Sequence, residues 1–195
     1  MKNDGKLKGK DLINIGIYAA IYCVIMTAVA MLGFIPIMMP MLCVLVPLLG
    51  GIPYMLFITK VQKFGMITIY STIVGLFLWI TGMGYWPFIF GIVLGLIADF
   101  IAKTGKYKSS TKSILSAGIF SMVIFGNFVP LFINANEYFK TRQSFGDDYI
   151  NKLTNIMNHS WLIPGLLAAC FICGIVGGFI GKAVLKKHFV KAGIA

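Results

Sequence analysis

The chain has 195 residues, of which 58% are hydrophobic and 12% charged, and its mean hydropathy is +0.89; a soluble domain of this length is far less apolar. Spanning helices of about 20 residues would, at six crossings, use roughly 120 positions and leave only short connections, so no soluble catalytic domain fits beside them. Seventeen Lys and Arg against six Asp and Glu give a net charge of +11, and in such a chain the position of those charges relative to the spans matters before any affinity for nucleic acid does.

Apolar runs bounded by charge fall at about residues 12–33, 38–58, 64–80, 85–102, 114–133 and 161–185. They predict an all-α, polytopic integral membrane protein with six transmembrane helices in a single membrane domain over residues 1–195. The first run follows Lys2, Lys6, Lys8 and Lys10 and contains Ala28-Val29-Ala30, a pattern like that of a signal peptide. It exceeds the usual apolar length of 7 to 15 residues, and a retained helix is expected. The second holds Pro40, Pro47 and Pro53; each removes a backbone donor that lipid cannot replace, so a kinked or broken helix packed against protein is expected.

At the end of the third run and the start of the fourth stand Trp79, Thr81, Tyr85 and Trp86. Asp99 is the only acid within a predicted span, and Lys103 lies one helical turn further on. That spacing allows an interfacial ion pair, with coupling to a partner as the alternative. In the fifth run, Gly126 and Asn127 precede Pro130, whose ring removes the hydrogen bond to the Gly126 carbonyl; a polar, locally opened backbone of this kind is tolerated where it lines a cavity. The connection 134–160 is long and polar, carries Tyr138, Phe139 and Tyr149, and includes His159 just before Trp161. A loop of that length is usually functional or disordered.

Assigning each connection to alternate sides puts fourteen basic residues on one side: those of the N-terminal tail, Lys60 and Lys63, then Lys103, Lys106, Lys108 and Lys112, then Lys182, Lys186, Lys187 and Lys191. The other side has Lys140, Arg142 and Lys152, offset by Glu137, Asp147 and Asp148. The asymmetry places both termini in the cytoplasm and the loop 134–160 outside the cell, with membrane lipid as the surrounding solvent. It also accounts for the net charge without nucleic acid.

Catalytic patterns are missing. The string Gly177 to Ala183 fails as a phosphate-binding loop on spacing and on the absent Ser or Thr, and neither a zinc-protease helix nor a serine-hydrolase elbow occurs. The chain is read as a non-enzyme with no catalytic residue, cofactor or metal ligand set. Cys170 and Cys173 lie one turn apart on the last run without a His or acid beside them and are read as small packing residues.

Small residues recur every fourth position in three runs: Gly16 and Ala20, with Ala19, Cys23 and Thr27 on the adjoining row; Gly91 and Gly95; and Gly165, Ala169, Cys173, Gly177 and Gly181, flanked by Cys170, Gly174 and Gly178. Each ridge serves either internal packing or the docking of another subunit. A polar and aromatic set collects at the opposite end from the lysines: Trp79, Tyr85, Trp86, Asn127, Asn134, His159 and Trp161. The tryptophans and tyrosine read as an interfacial belt or as a stacking wall, Asn127 as packing or ligand contact, and His159 as a surface residue or substrate contact.

The stretch Lys10-Asp11-Leu12-Ile13-Asn14-Ile15-Gly16-Ile17-Tyr18-Ala19-Ala20 and the stretch Gly91-Ile92-Val93-Leu94-Gly95-Leu96-Ile97-Ala98-Asp99 resemble the Trep/Strep (MptD-type) family of S components of energy-coupling factor transporters, over essentially the whole chain. The resemblance implies a substrate-binding subunit of an ABC-type importer in the bacterial plasma membrane. Such a subunit captures a micronutrient at the outer face and associates with a transmembrane coupling subunit (T component) and two cytoplasmic ATPases. It implies substrate held by helices four to six under covering loops, and docking through the small residues of the first helix: Gly16, Ala19, Ala20 and Cys23. The strict Ala-x-x-x-Ala is replaced by Gly16-x-x-x-Ala20. A vitamin-like ligand would use Asn127 and Asn134, whereas haem would need His159 as axial donor. The rival is a self-sufficient small channel or secondary carrier, a homo-oligomer built on the last-helix ridge.

Overall fold

Helix formation begins at Gly9, where the Asp11 carboxylate turns back to accept the Lys8 N–H at 2.8 Å and pairs with the Lys63 ammonium at 2.7 Å. That pair ties the first helix to the second connection at the lysine-rich end. In this computed structural model, residues 7–61, 63–140 and 146–186 are described; Lys2, Lys6, Arg142, Lys187 and Lys191 lie outside them. The order is α1 (Gly9–Ala30) with a 3-10 turn at Met31–Phe34, α2 (Met38–Ile58), α3 (Met66–Leu78) with a widened turn at Trp79–Met83, α4 (Trp86–Thr104), α5 (Ser110–Ser121) continuing as 3-10 helix over Met122–Asn127, α6 (Val129–Lys140), α7 (Asp147–Met157) and α8 (Leu162–Val184). Among the described residues six stretches are long and apolar enough to cross a membrane: Gly9–Phe34, Met38–Ile58, Met66–Met83, Trp86–Thr104, Ser110–Ala135 and Leu162–Val184.

One expectation from sequence holds in part and another is corrected. The second run packs against protein as expected, but as one continuous helix and not a broken one. Pro40 stands in its first turn, where a backbone donor has no helical partner, while Pro47 and Pro53 are buried between neighbouring helices that hold the backbone in place. The connection 134–160 is also largely helical within the described residues. α6 extends to Lys140, and α7 follows with Tyr149, Leu153 and Met157 buried on one face at spacing four. Asp147, Asp148, Asn151, Lys152 and Asn155 read as loop polarity in sequence, although they form the outer face of an amphipathic helix.

Lipid supplies no hydrophobic drive between helices, so their approach depends on where side chains are missing. Gly51 of α2 meets the backbone of Gly177 in α8, and a Cβ on Gly181 would stand 2.9 Å from that of Met55. On the adjoining row of α8, a Cβ at Gly174 would stand 2.6 Å from that of Ser121, and Gly178 faces Ala117 and Ile114 of α5. Although a Cβ on Gly165 would meet only the Trp161 ring of its own helix, both glycine rows of α8 are therefore filled from within the chain from Gly174 to Gly181. The same holds for α4, where a Cβ on Gly91 would come within 2.7 Å of the Ser71 carbonyl and one on Gly95 within 2.6 Å of the Ser71 Cβ.

α1 differs. Ala19 and Cys23 turn inward at 1% and 7% exposure, whereas Gly16 and Ala20 face outward and a Cβ on Gly16 would meet nothing within 4 Å. Behind α1 an aromatic cluster fills the centre: Phe57 stacks on Tyr70 at 4.5 Å between centroids and Tyr54 on Phe120 at 4.8 Å. The Tyr54 hydroxyl shares a 2.6 Å hydrogen bond with Ser116, which donates to the Ala98 carbonyl at 2.9 Å.

Candidate functional site

At the end opposite the lysines, α1, α2, α3 and the 3-10 end of α5 diverge around a cavity of about 180 Å³. Its position follows from Pro130. With the Gly126 carbonyl freed, the fifth span tightens into 3-10 geometry over Met122–Asn127, and Gly126 slides against Pro87 of α4, where a Cβ would sit 2.8 Å from the proline Cα. Asn127 is thereby turned into the space between the helices. Met26, Thr27 and Ala30 form one wall; Met39, Leu42 and Val46 a second; Phe77, Leu78, Thr81 and Met83 a third; Ile124 and Phe128 flank Asn127.

No charged side chain lines this cavity. The Thr27 hydroxyl donates to the Cys23 carbonyl at 2.8 Å and the Thr81 hydroxyl to the Leu78 carbonyl at 3.0 Å. The Asn127 carboxamide oxygen is buried without a hydrogen-bond partner, and such an atom costs stability until a donor reaches it.

A second, more open cavity of about 350 Å³ lies nearer the surface, with Tyr85, Trp86, Asn134, Glu137 and Tyr138 around it. Tyr85 stacks on Trp86 at 5.2 Å. Asn134 leaves helical geometry and accepts the Glu137 N–H at 3.1 Å, capping the last turns of α6. Met83 lines both cavities.

Of the residues singled out from sequence, Tyr85, Trp86 and Asn134 thus come together, and Asn127 stands in the deeper space. Trp79 is 47% exposed and tilts onto Phe88 at 5.4 Å; Trp161 is 66% exposed; His159 is exposed, its Nδ1 3.3 Å from the Ile156 carbonyl. None of these three lines either cavity. Sequence reasoning missed the methionines and Phe77 of the deeper cavity, because an apolar residue in a span has the same signature whether it faces lipid, core or cavity. The resemblance implies substrate among helices four to six; the shallower cavity draws on the start of α4 and on Pro130, Ile133 and Asn134, and the deeper cavity takes most of its wall from the first three spans.

On the outside of α1, Gly16, Ala20, Val24 and Ala28 border an apolar groove of about 630 Å³ whose far side is Ile73 and Phe77 of α3. Ala19, Cys23 and Thr27 form its floor side. Thr27 and Phe77 border both this groove and the deeper cavity.

At the lysine-rich end Asp99 is fully buried. One carboxylate oxygen accepts the Gly65 N–H at 2.7 Å, the Thr68 N–H at 3.2 Å and the Thr68 hydroxyl at 3.1 Å; the other accepts the Tyr107 hydroxyl at 2.9 Å. The expected Asp99–Lys103 pair is replaced by a cap on α3, and the Lys103 ammonium instead lies 4.9 Å from the centroid of the Phe64 ring. Gly65 adopts φ +97°, which only glycine takes without strain, to aim its N–H at Asp99. Burial and the neighbouring Asp99 charge push the Tyr107 hydroxyl well above the ordinary tyrosine range, so it stays a donor.

Among the described residues no three His, Cys, Asp or Glu side chains are placed to hold a metal ion. No curated protein and no solved structure matches the chain. The model of the family described as hypothetical bacterial integral membrane protein (Trep_Strep) matches residues 9–191, which takes in all six membrane-spanning helices, and this multi-pass membrane protein belongs to that family.

Proposed function

We propose that the chain is the substrate-binding S component of an energy-coupling factor importer, taking a small organic micronutrient from the outer face and delivering it with a transmembrane coupling subunit and two cytoplasmic ATPases. The observation that carries this reading is the unequal use of the three small-residue ridges. That of α4 and the Gly174–Gly181 part of that of α8 are filled by the chain's own helices, while Gly16 and Ala20 of α1 stand open beside a groove. A bare ridge in a membrane helix is where another helix approaches. The sharing of Thr27 and Phe77 between groove and cavity gives a partner's helix two of the cavity's own wall residues to press on.

The homo-oligomeric channel or carrier loses the inner half of its proposed seam, since α2 and α5 already occupy the α8 glycine rows from Gly174 to Gly181. Within the described spans both acids are already engaged, Asp11 with Lys63 and Asp99 in capping α3, which leaves an ion-driven carrier without a coupling group there. Haem is disfavoured by the place of His159, exposed and outside both cavities. The test is affinity purification of the tagged chain from its native membrane. Stoichiometric recovery of two ATPases and a coupling protein is the expected result; a homo-oligomer that alone carries flux in liposomes would overturn it.

A further inference from the structure

The deeper cavity and the groove outside α1 share Thr27 and Phe77, and that shared boundary shows from which side the cavity is entered. Its exposed lining residues are Thr27 and Ala30 of α1 and Thr81 at the end of the third span, so the mouth lies in the seam between α1 and α3. The first span has 26 residues, which at a rise of roughly 1.5 Å each overruns a hydrocarbon core of about 30 Å by only about 5 Å at either end. Thr27 stands a further turn inside that margin, about 10 Å below Phe34, and so faces acyl chains.

What the cavity holds follows from its wall and its size. The surface is almost wholly apolar and carries no charged side chain; both threonine protons are given to backbone carbonyls, and the Asn127 carboxamide oxygen is itself covered by protein atoms. A charge or a strongly polar group brought in would lose its hydration without compensation. The volume of about 180 Å³ is a little above that of an engineered apolar cavity of roughly 150 Å³ that holds benzene, which suits one or two fused rings and excludes nucleotides and tetrapyrroles. Lipid tails are as apolar as this wall, so preference over the bilayer rests on fit: Met26, Met39 and Met83 with Phe77 and Phe128 give a flat ring close, polarizable contacts that loosely packed tails do not. We propose that the cavity between α1, α2, α3 and the end of α5 takes an uncharged, compact, apolar ring compound from the bilayer through the gap between α1 and α3. This rests on the S-component reading for its physiological meaning, as it names the substrate class of that site, but binding and entry belong to the isolated chain.

Naphthalene serves as probe, with pyrene as an equally apolar but larger control and 2-naphthoate as a charged one. Naphthalene and pyrene both dissolve in lipid, so a general effect on the bilayer moves both. The unfolding temperature of the full chain in lipid nanodiscs is followed against probe concentration. Naphthalene is expected to raise it saturably, and pyrene and 2-naphthoate to leave it unchanged. Ala30→Phe, which sets a ring in the mouth from an exposed position, should weaken naphthalene at least roughly tenfold, whereas Ala168→Phe, exposed on α8 and outside the cavity, should not. The comparison of probes on the wild-type chain needs no variant, so a poorly folding Ala30→Phe does not blunt it. Entry is read by a nitroxide on Ala30→Cys in a Cys173→Ala background, which should relax more with lipid-soluble oxygen than with a water-soluble nickel chelate. No saturable rise with naphthalene, an equal rise with pyrene or 2-naphthoate, undiminished binding in Ala30→Phe, or a nitroxide relaxed mainly by the nickel chelate would each overturn the proposal. Binding as expected in a chain that recovers no ATPases would overturn the transporter reading and leave the cavity's chemistry standing; the converse result would do the reverse.

Discussion

The Asp99 carboxylate of α4 accepts the Gly65 N–H at 2.7 Å, so an acid on one spanning helix supplies the cap of the next helix back in the chain. Asp99→Ala strands the Gly65 and Thr68 donors and the Tyr107 hydroxyl, and should cost roughly 2 to 4 kcal/mol of stability. Lys103→Ala, which removes a cation resting on a ring, should cost about 1 kcal/mol or less. Thermal unfolding in detergent separates these. Equal losses in the two variants would restore the ion pair and remove the cap.

Gly177 has the α2 backbone against it, with the carbonyls of Pro47 and Leu48 where a side chain would go. Gly177→Val should separate α2 from α8 and cost about 3 kcal/mol or more, or prevent folding, because backbone cannot move aside as a flexible side chain can. Gly165→Ala, whose new methyl would meet only the Trp161 ring at 3.5 Å, should be neutral. Fluorescence-detected size exclusion would show it; a monodisperse, thermally unchanged Gly177→Val protein would mean that the two helices are not in contact.

Gly16→Leu and Ala20→Leu put bulk into the open groove without touching the chain's own packing. Each should leave thermal stability within about 0.5 kcal/mol, as ordinary surface changes do, yet abolish recovery of the coupling subunit and uptake by the complex. A clear fall in stability, with partner recovery kept, would assign the ridge to internal packing.

Topology is open to labelling, since Cys23, Cys43 and Cys170 are buried and Cys173 is half-buried within α8. Ser144 lies outside the described residues, whereas Lys152 and Asn155 on α7 are exposed and suit a label. Lys152→Cys should react with an impermeant maleimide on intact cells, and Lys106→Cys only after lysis, as the excess of lysines at that end dictates. The opposite pattern would invert the protein.

Tyr149 fastens α7 to the end of the first span by donating its hydroxyl to the Gly33 carbonyl at 2.5 Å. Burial first, and the neighbouring Tyr138 second, push its pKa up to about 12. A tyrosine in the unfolded chain titrates near 10, so the fastening is complete below about pH 10 and is lost as pH rises through about 12. Tyr149→Phe should loosen α7 by about 1 kcal/mol and remove its response to alkali. Hydrogen exchange along 147–157 at neutral and high pH measures both. An α7 equally protected in the variant would show that Leu153 and Met157 hold it unaided.

The six spans were legible because a membrane imposes one requirement, an unbroken apolar length with satisfied backbone, that a linear reading can count. The opened backbone before Pro130 was legible for a similar reason, as a missing donor is a covalent fact. What the sequence could not determine is which face of each helix meets which neighbour. Glycines at spacing four look the same in α1, α4 and α8, and only packing showed that Gly177 and Gly91 are filled while Gly16 is open. Asp99 was placed beside Lys103 by spacing along one helix, whereas its partners are a turn and a helix start brought from other parts of the chain. Tertiary structure likewise decided that Asn127 faces a cavity and His159 the exterior, because lipid, core and cavity all accept the same apolar surroundings in sequence, and the difference lies in distances across the bundle.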